Sequence, residues 1–123
     1  MNNFMYYNRN DGGVEEPDCV ARAISLGTGV KYNVAWNLLN LVSDNCGCDA
    51  LNVDCYSYLL EKVFCMPVRY CDDRETVGDI AKMYPYNVVI IRIDGHLTCS
   101  YYGVPNDIWD CSDMFVDRYW IAS

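Results

Sequence analysis

The segment 87–93, Asn-Val-Val-Ile-Ile-Arg-Ile, constrains the fold of this chain more than any other. Its valines and isoleucines are β-branched, and such a run favours a well-buried strand. Asp94-Gly95 then predicts a turn, and 96–102 and 107–110 predict two further strands. The segment 116–121 is compatible with a strand or a short helix. The last third of the chain therefore predicts a small antiparallel sheet.

The first two thirds of the chain show helical periodicity instead. Asp18 is a good N-cap residue for a helix that starts at Cys19 and ends at Gly27-Thr28-Gly29. On this helix Val20, Ala23 and Ile24 share one apolar face. Further helices are predicted at 32–42, 53–63 and 76–83, with a loop at 43–50 and a short strand at 66–70. Helices followed by strands predict an α+β fold, in which N-terminal helices pack on a small antiparallel sheet in a single domain spanning 1–123.

Charge and hydropathy exclude several classes of function. The net charge is −8, and the Lys and Arg residues are scattered singly, so no basic patch for nucleic acid is expected. No apolar run approaches the roughly 20 residues that a membrane span requires. The first residues lack the basic and apolar regions of a signal peptide. We therefore expect a soluble protein in the cytoplasm of the producing or infected cell.

The eight cysteines have two interpretations. An even number is compatible with disulfides, but a reducing compartment favours free thiols, most of them packed as small hydrophobic groups. Cys46, Cys48 and Cys55 form an alternative, a structural zinc site. The chain has one histidine and no pair of Cys-x-x-Cys motifs, which argues against that site. The main prediction is a protein without metal or cofactor.

Cys19 is the candidate nucleophile. It lies at the predicted start of a helix, where the helix dipole and the free N–H groups stabilise a thiolate. The same N–H groups are suited to bind an oxyanion. Arg22, one turn later, is expected either to pair with a carboxylate such as Asp18 or to be exposed.

His96 is the only histidine, so any imidazole base must be His96. A base of this kind needs an acceptor on its far nitrogen to fix the tautomer and the ring orientation. If the hairpin turn is centred near Gly103, the residue opposite His96 is Asp110, and opposed residues point to the same face. Asp107 remains the alternative if the turn shifts the register.

These residues lie in segments that resemble the papain-like superfamily, and most closely small phage and bacterial proteins with that fold. The segments are Asp18-Cys19-Val20-Ala21-Arg22-Ala23-Ile24, Gly95-His96-Leu97, Asp107-Ile108-Trp109-Asp110-Cys111-Ser112 and the closing Tyr119-Trp120. The Asp-Cys pair is also similar to that of cell-wall amidases. The resemblance implies a cysteine proteinase fold and a peptidase or amidase acting on a peptide or protein. It assigns Cys19 as nucleophile, His96 as base and Asp110 as the residue that orients the base.

One departure from that family is clear, because the chain contains no glutamine to donate into the oxyanion hole. Asn8 and Asn10 are the candidates to replace it, since a side-chain amide is the required donor. The rival hypothesis is a binding protein that keeps the fold without turnover, for example a phage protein that blocks a host factor. The aromatic residues, Trp109 among them, could line a substrate cleft, but most of them are expected to complete the core.

Overall fold

The computed structural model describes residues 4–8, 18–72 and 74–123. The helices are α1 (Cys19–Thr28), α2 (Tyr32–Cys46), α3 (Val53–Tyr58, continued by a π-helical turn at Leu59–Val63) and α4 (Val77–Met83). The strands are β1 (Met5–Tyr6), β2 (Val68–Tyr70), β3 (Val88–Ile93), β4 (His96–Tyr101), β5 (Val104–Asp107) and β6 (Val116–Ile121). The α+β class predicted from the sequence is confirmed. The segment 116–121 is a strand, and α2 extends four residues past its predicted end at Val42.

The described strands form one sheet in the order β1-β5-β4-β3-β6-β2. The pairs β2–β6, β3–β6, β3–β4 and β4–β5 are antiparallel, whereas β1 runs parallel to β5. The prediction of a purely antiparallel sheet is therefore wrong. The reason is the short edge strand Met5–Tyr6, which carries too few residues to show strand periodicity and is defined only by its partner.

Side chains of β3 alternate between two hydrophobic clusters, one on each face of the sheet. Val88 and Ile90 pack with residues of α1, α2 and α3, whereas Val89, Ile91 and Ile93 pack with α4 and Cys111. A strand buried on both faces reads as a continuous apolar run, which is the pattern of 87–93. The predicted face of α1 is confirmed, since Val20, Ala23 and Ile24 are buried.

The hairpin between β4 and β5 differs from its prediction. Tyr101 pairs with Val104, so the turn consists of Tyr102 and Gly103 alone, with φ of 50° and 84°. The strand therefore starts at Val104 and ends at Asp107, rather than spanning 107–110. The turn is centred half a residue earlier than Gly103, which shifts the pairing of β4 and β5 by one residue. This shift decides which carboxylate faces His96.

Among the described residues, no helix has both the length and the apolar character to cross a bilayer.

Candidate active site

The thiol of Cys19 lies at the first residue of α1 and is partly accessible to solvent. The N–H groups of a first helical turn have no partner within the helix, so this position combines a sulfur with nearby donors. Asp18 precedes the helix as expected, but its side chain does not cap it. The Asp18 carboxylate is instead buried and engaged with other side chains. Asp18 is therefore the N-cap residue, as predicted, and the predicted start of the helix is correct, but the side chain does not make the capping hydrogen bond.

The imidazole of His96 reaches both the thiol and a carboxylate. It lies close enough to Cys19 to lower the pKa of the thiol against the effect of burial, and its Nε2 atom lies 2.6 Å from Oδ2 of Asp107. Because Asp107 occupies Nε2, Nδ1 is the ring nitrogen left for the sulfur. The two-residue turn Asp94-Gly95, with Gly95 at a φ of 71°, joins β3 to β4 and sets His96 at the start of its strand.

Asp107, not Asp110, is the carboxylate beside His96. Cys99 pairs with Asn106, and the same register continued by one residue sets Asp107 opposite Thr98. Residues 96 and 98 lie on the same face of β4, so Asp107 is the diagonal neighbour of His96 and within reach of its ring. A register shifted by one residue would turn Asp107 to the other face. Asp107, the alternative that the sequence left open, is therefore the carboxylate that lies beside His96.

Asp110 lies outside β5 and is exposed. Its Oδ1 atom accepts hydrogen bonds from the backbone N–H of Ser112 at 3.0 Å and from the Ser112 hydroxyl at 2.5 Å. This is a local turn contact of the kind that Asp commonly makes. The structure therefore does not place Asp110 where the orienting role requires it, and the register prediction that selected it is wrong.

A buried ionic network supports Asp107 from the side of α1. Arg22 places Nε 3.0 Å from Oδ1 of Asp18 and Nη2 3.9 Å from Oδ1 of Asp107. The Tyr32 hydroxyl donates to Oδ2 of Asp18 at 2.5 Å, and the N–H of Ile108 donates to Oδ1 of Asp107 at 2.7 Å. The expected pairing of Arg22 with Asp18 is present. Buried charges are costly unless they are paired, so Arg22 stabilises Asp107 as an ion-pair partner, while the Ile108 N–H holds its Oδ1 atom by a hydrogen bond.

The electrostatics of the site favour an ion pair between sulfur and imidazole. Burial disfavours a charged His96, but its hydrogen bonds, first that to the Asp107 carboxylate, outweigh burial and raise the pKa of His96 to about 11. Burial likewise opposes the thiolate, yet hydrogen bonds from His96 and the Leu97 backbone lower the pKa of Cys19 below 9.0. Burial would raise the pKa of Asp107, and the bond to His96 reverses this and lowers it. These shifts favour a Cys19 thiolate beside a protonated His96 and an ionised Asp107.

A cleft of about 460 Å³ opens over Cys19 and His96. This volume lies in the range of ordinary small-ligand sites. The polar groups on its lining are Cys19, His96, Arg22, Arg92 and Tyr56. The apolar part of its lining consists of Val20, Leu51, Val53, Leu97, Ile108 and Trp109.

Of the two asparagines proposed for the oxyanion hole, the structure describes Asn8. Asn8 follows β1, is half-buried, and stands next to Tyr7, whose N–H donates to the carbonyl of Asp107 at 2.9 Å. Tyr7 and Cys19 both line a small cavity behind the thiol, so the segment with Asn8 runs close to the site. Asn10 lies outside the described residues.

The three cysteines of the zinc alternative do not converge into a three-ligand group within the described part of the chain. Cys55 is buried, and burial together with contact to Cys48 raises the pKa of its thiol to about 12. The group that does converge there is His96, Asp107 and Cys111, with ligand atoms within 4.8 Å of one another. These atoms already bond to one another, so a metal ion would have to displace the contact between His96 and Asp107.

Sequence reasoning missed three features of the site. Trp109 was expected in the core, yet it is 41% exposed and its ring lies 4.9 Å from that of His96. Arg92 lies inside the predicted strand 87–93 and was not singled out as a residue of the site. Tyr56 accepts a hydrogen bond from Arg92 Nε at 3.0 Å, a contact between distant segments. A charged residue within a run of β-branched residues was the one signal that could have marked Arg92.

No family model, curated protein or solved structure matches this chain.

Proposed function

We propose that this protein is a cysteine-dependent hydrolase of amide bonds, a peptidase or amidase with a papain-like arrangement of Cys19, His96 and Asp107. The observation that carries the proposal is the position of the His96 imidazole. The imidazole bonds to the Asp107 carboxylate at 2.6 Å and lines one open cleft together with the Cys19 thiol, whose pKa it lowers against the effect of burial. A nucleophile, a base and a group that orients the base are the parts that acyl transfer to sulfur requires.

The chemistry follows from the charge state of the pair. The Cys19 thiolate attacks the carbonyl carbon of a peptide, isopeptide or side-chain amide, and the carbonyl oxygen becomes an oxyanion. The C–N bond then breaks as the His96 imidazolium gives its proton to the leaving amine, which leaves a thioester on Cys19. Water attacks the thioester while His96 takes up one of its protons, and the carboxylic acid departs as the thiolate and imidazolium return.

The oxyanion is assigned to the N-terminal N–H groups of α1, with the side-chain amide of Asn8 as the second donor. Removing a single donor of this kind costs roughly 3–4 kcal/mol of barrier in well-studied hydrolases. An Asn8→Ala variant should therefore lose turnover while the thiol of Cys19 stays reactive. The eight cysteines are free, and a catalytic thiolate needs a reducing environment, so we assign the protein to the cytoplasm.

The reactivity of Cys19 at low pH tests the proposal directly. A thiol at the ordinary pKa of 9.0 is only about 0.03% thiolate at pH 5.5. We expect iodoacetamide at pH 5.5 to alkylate Cys19 faster than the exposed Cys46 and Cys65 of the same chain. Peptide mass spectrometry resolves these sites.

The His96→Ala variant provides the matched comparison. It should bring the labelling rate of Cys19 at pH 5.5 down to that of the exposed thiols. Equal and slow labelling of all accessible cysteines in the unmodified protein would contradict the proposal and favour a binding protein without turnover. Selective labelling that survives His96→Ala would show that another group activates the sulfur.

A further inference from the structure

The lining of the cleft includes the guanidinium of Arg92. Arg92 sits on β3, with Nε donating to the Tyr56 hydroxyl at 3.0 Å and Nη1 donating to Oδ2 of Asp117 at 2.9 Å. Its side chain remains 22% exposed and lines the cleft. The Tyr56 hydroxyl accepts from Arg92 and still has its own proton to donate. A fixed cation and a hydroxyl donor therefore lie side by side in the cleft.

The positive charge of Arg92 is not fully balanced by its neighbours. Oδ2 of Asp117 is shared, because Arg118 also places Nε 2.7 Å from it. Two guanidiniums and one carboxylate leave a surplus of one positive charge. Within the described part of the chain, no carboxylate lines the cleft, although acidic residues outnumber Lys and Arg by 17 to 9 in the sequence. The cleft thus differs in charge from an acidic protein as a whole.

The remaining wall of the cleft is apolar, with Val53, Leu97, Ile108 and Trp109 among its residues. A ligand that fits this arrangement has an apolar body and a negatively charged end. We infer that the cleft binds an acyl donor of this class, an amide whose apolar acyl part ends in a carboxylate held by Arg92 and Tyr56. Carboxylate and guanidinium form charge-assisted hydrogen bonds, and Arg suits them through its planar fork. The inference rests on the proposed function for the bond that is cleaved and adds the chemistry of the substrate.

Paired affinity labels test this inference without a known substrate. The labels are the iodoacetyl derivatives of leucine and of 6-aminohexanoic acid, each used as the free acid and as the neutral amide. The rate of Cys19 alkylation at pH 6 and low salt is measured by mass spectrometry. We expect at least one acid to label Cys19 about 10-fold faster than its amide, the size of one charged hydrogen bond. Added salt should reduce that ratio.

Two variants locate the effect. Arg92→Gln should bring the ratio of acid to amide rates to about one, whereas Arg69→Gln should leave it unchanged. Arg69 is exposed on β2 and does not line the cleft, so its substitution makes the same change of total charge elsewhere. Arg92→Lys keeps the charge and should retain part of the preference, which provides a test if Arg92→Gln fails to fold.

The outcomes separate this inference from the proposed function. If Cys19 reacts selectively at low pH but acid and amide react at equal rates for both lengths, the carboxylate subsite is wrong and the nucleophile stands. A preference that persists in Arg92→Gln overturns the subsite as well. If Cys19 reacts no faster than the exposed Cys46 and Cys65 with any label, the proposed function itself fails.

Discussion

Replacing Asp107 by Asn removes the charge that holds His96 protonated while keeping the shape of the side chain. Asp107 now accepts from His96 Nε2 at 2.6 Å and from the Ile108 N–H at 2.7 Å. An amide has one acceptor and one donor end. If its oxygen keeps Ile108, its NH₂ group faces Nε2, which can then accept only as a neutral ring. If the amide flips, its NH₂ group meets the Ile108 N–H, and two donors face each other.

The size of the effect follows from the distance. Two unit charges 2.6 Å apart attract by about 6 kcal/mol at an effective dielectric constant of about 20. At about 1.4 kcal/mol per pKa unit, this equals roughly four to five units, before the opposing effect of burial. The pKa of His96 is raised from 6.5 to about 11 despite burial, in the direction that this attraction predicts. Without the Asp107 carboxylate, burial dominates the pKa of His96, and the imidazole should be neutral at pH 7.

The assay is the pH profile of Cys19 alkylation by iodoacetamide between pH 4 and 9. The unmodified protein should react at lower pH than an ordinary thiol does, because the pKa of Cys19 is lowered from 9.0. In Asp107→Asn the rate should rise about tenfold per pH unit, as for an ordinary thiol. At pH 5.5 it should be lower than the rate of the unmodified protein by a factor of about 100 or more. Hydrolysis of any amide substrate should fall by about 10⁴, the loss found for this change in a related triad.

Asp110→Asn is the matched control, since it makes the same chemical change three residues away on an exposed side chain. It should leave the profile unchanged. Thermal unfolding by circular dichroism shows whether each variant folds. The reasoning is refuted if folded Asp107→Asn keeps the profile of the unmodified protein, or if Asp110→Asn abolishes low-pH reactivity instead.

Three further predictions concern stability, each measured by urea unfolding. Gly27→Ala should lose about 1–3 kcal/mol through overpacking, because the added Cβ would lie 2.4 Å from Cγ1 of the buried Ile90. Thr76→Ala should lose about 1 kcal/mol, because it removes the Thr76 hydroxyl that accepts from the Asp79 N–H at 3.2 Å in the capping box at the start of α4. The lowered pKa of Cys19 contributes to the free energy of unfolding above pH 9.0, and this contribution is lost as the pH falls through the folded-state pKa. The unmodified protein should therefore be more stable than Cys19→Ser by an amount that grows with pH up to about 9.0 and then stays constant.

Elements with strong periodicity could be predicted from the sequence. The run 87–93 is buried because it separates two clusters, and α1 begins at Cys19 and buries its predicted face. Both features depend on residues close together in the chain, whose pattern repeats over several positions. The two-residue strand β1 had no such pattern, and its pairing with β5 depends on contacts about 100 residues apart.

The same distinction applies to the site. The sequence alone singled out Cys19, because a thiol at a helix start has a local reason to be reactive, and His96, because it is the only imidazole. Tertiary structure decided that these two groups share a cleft, that Asp107 rather than Asp110 bonds His96, and that Arg92 and Trp109 border the same space. The physical reason is strand register. A hairpin turn of Tyr102 and Gly103 moves β5 by one residue against β4, and in a sheet one residue decides which face a side chain reaches.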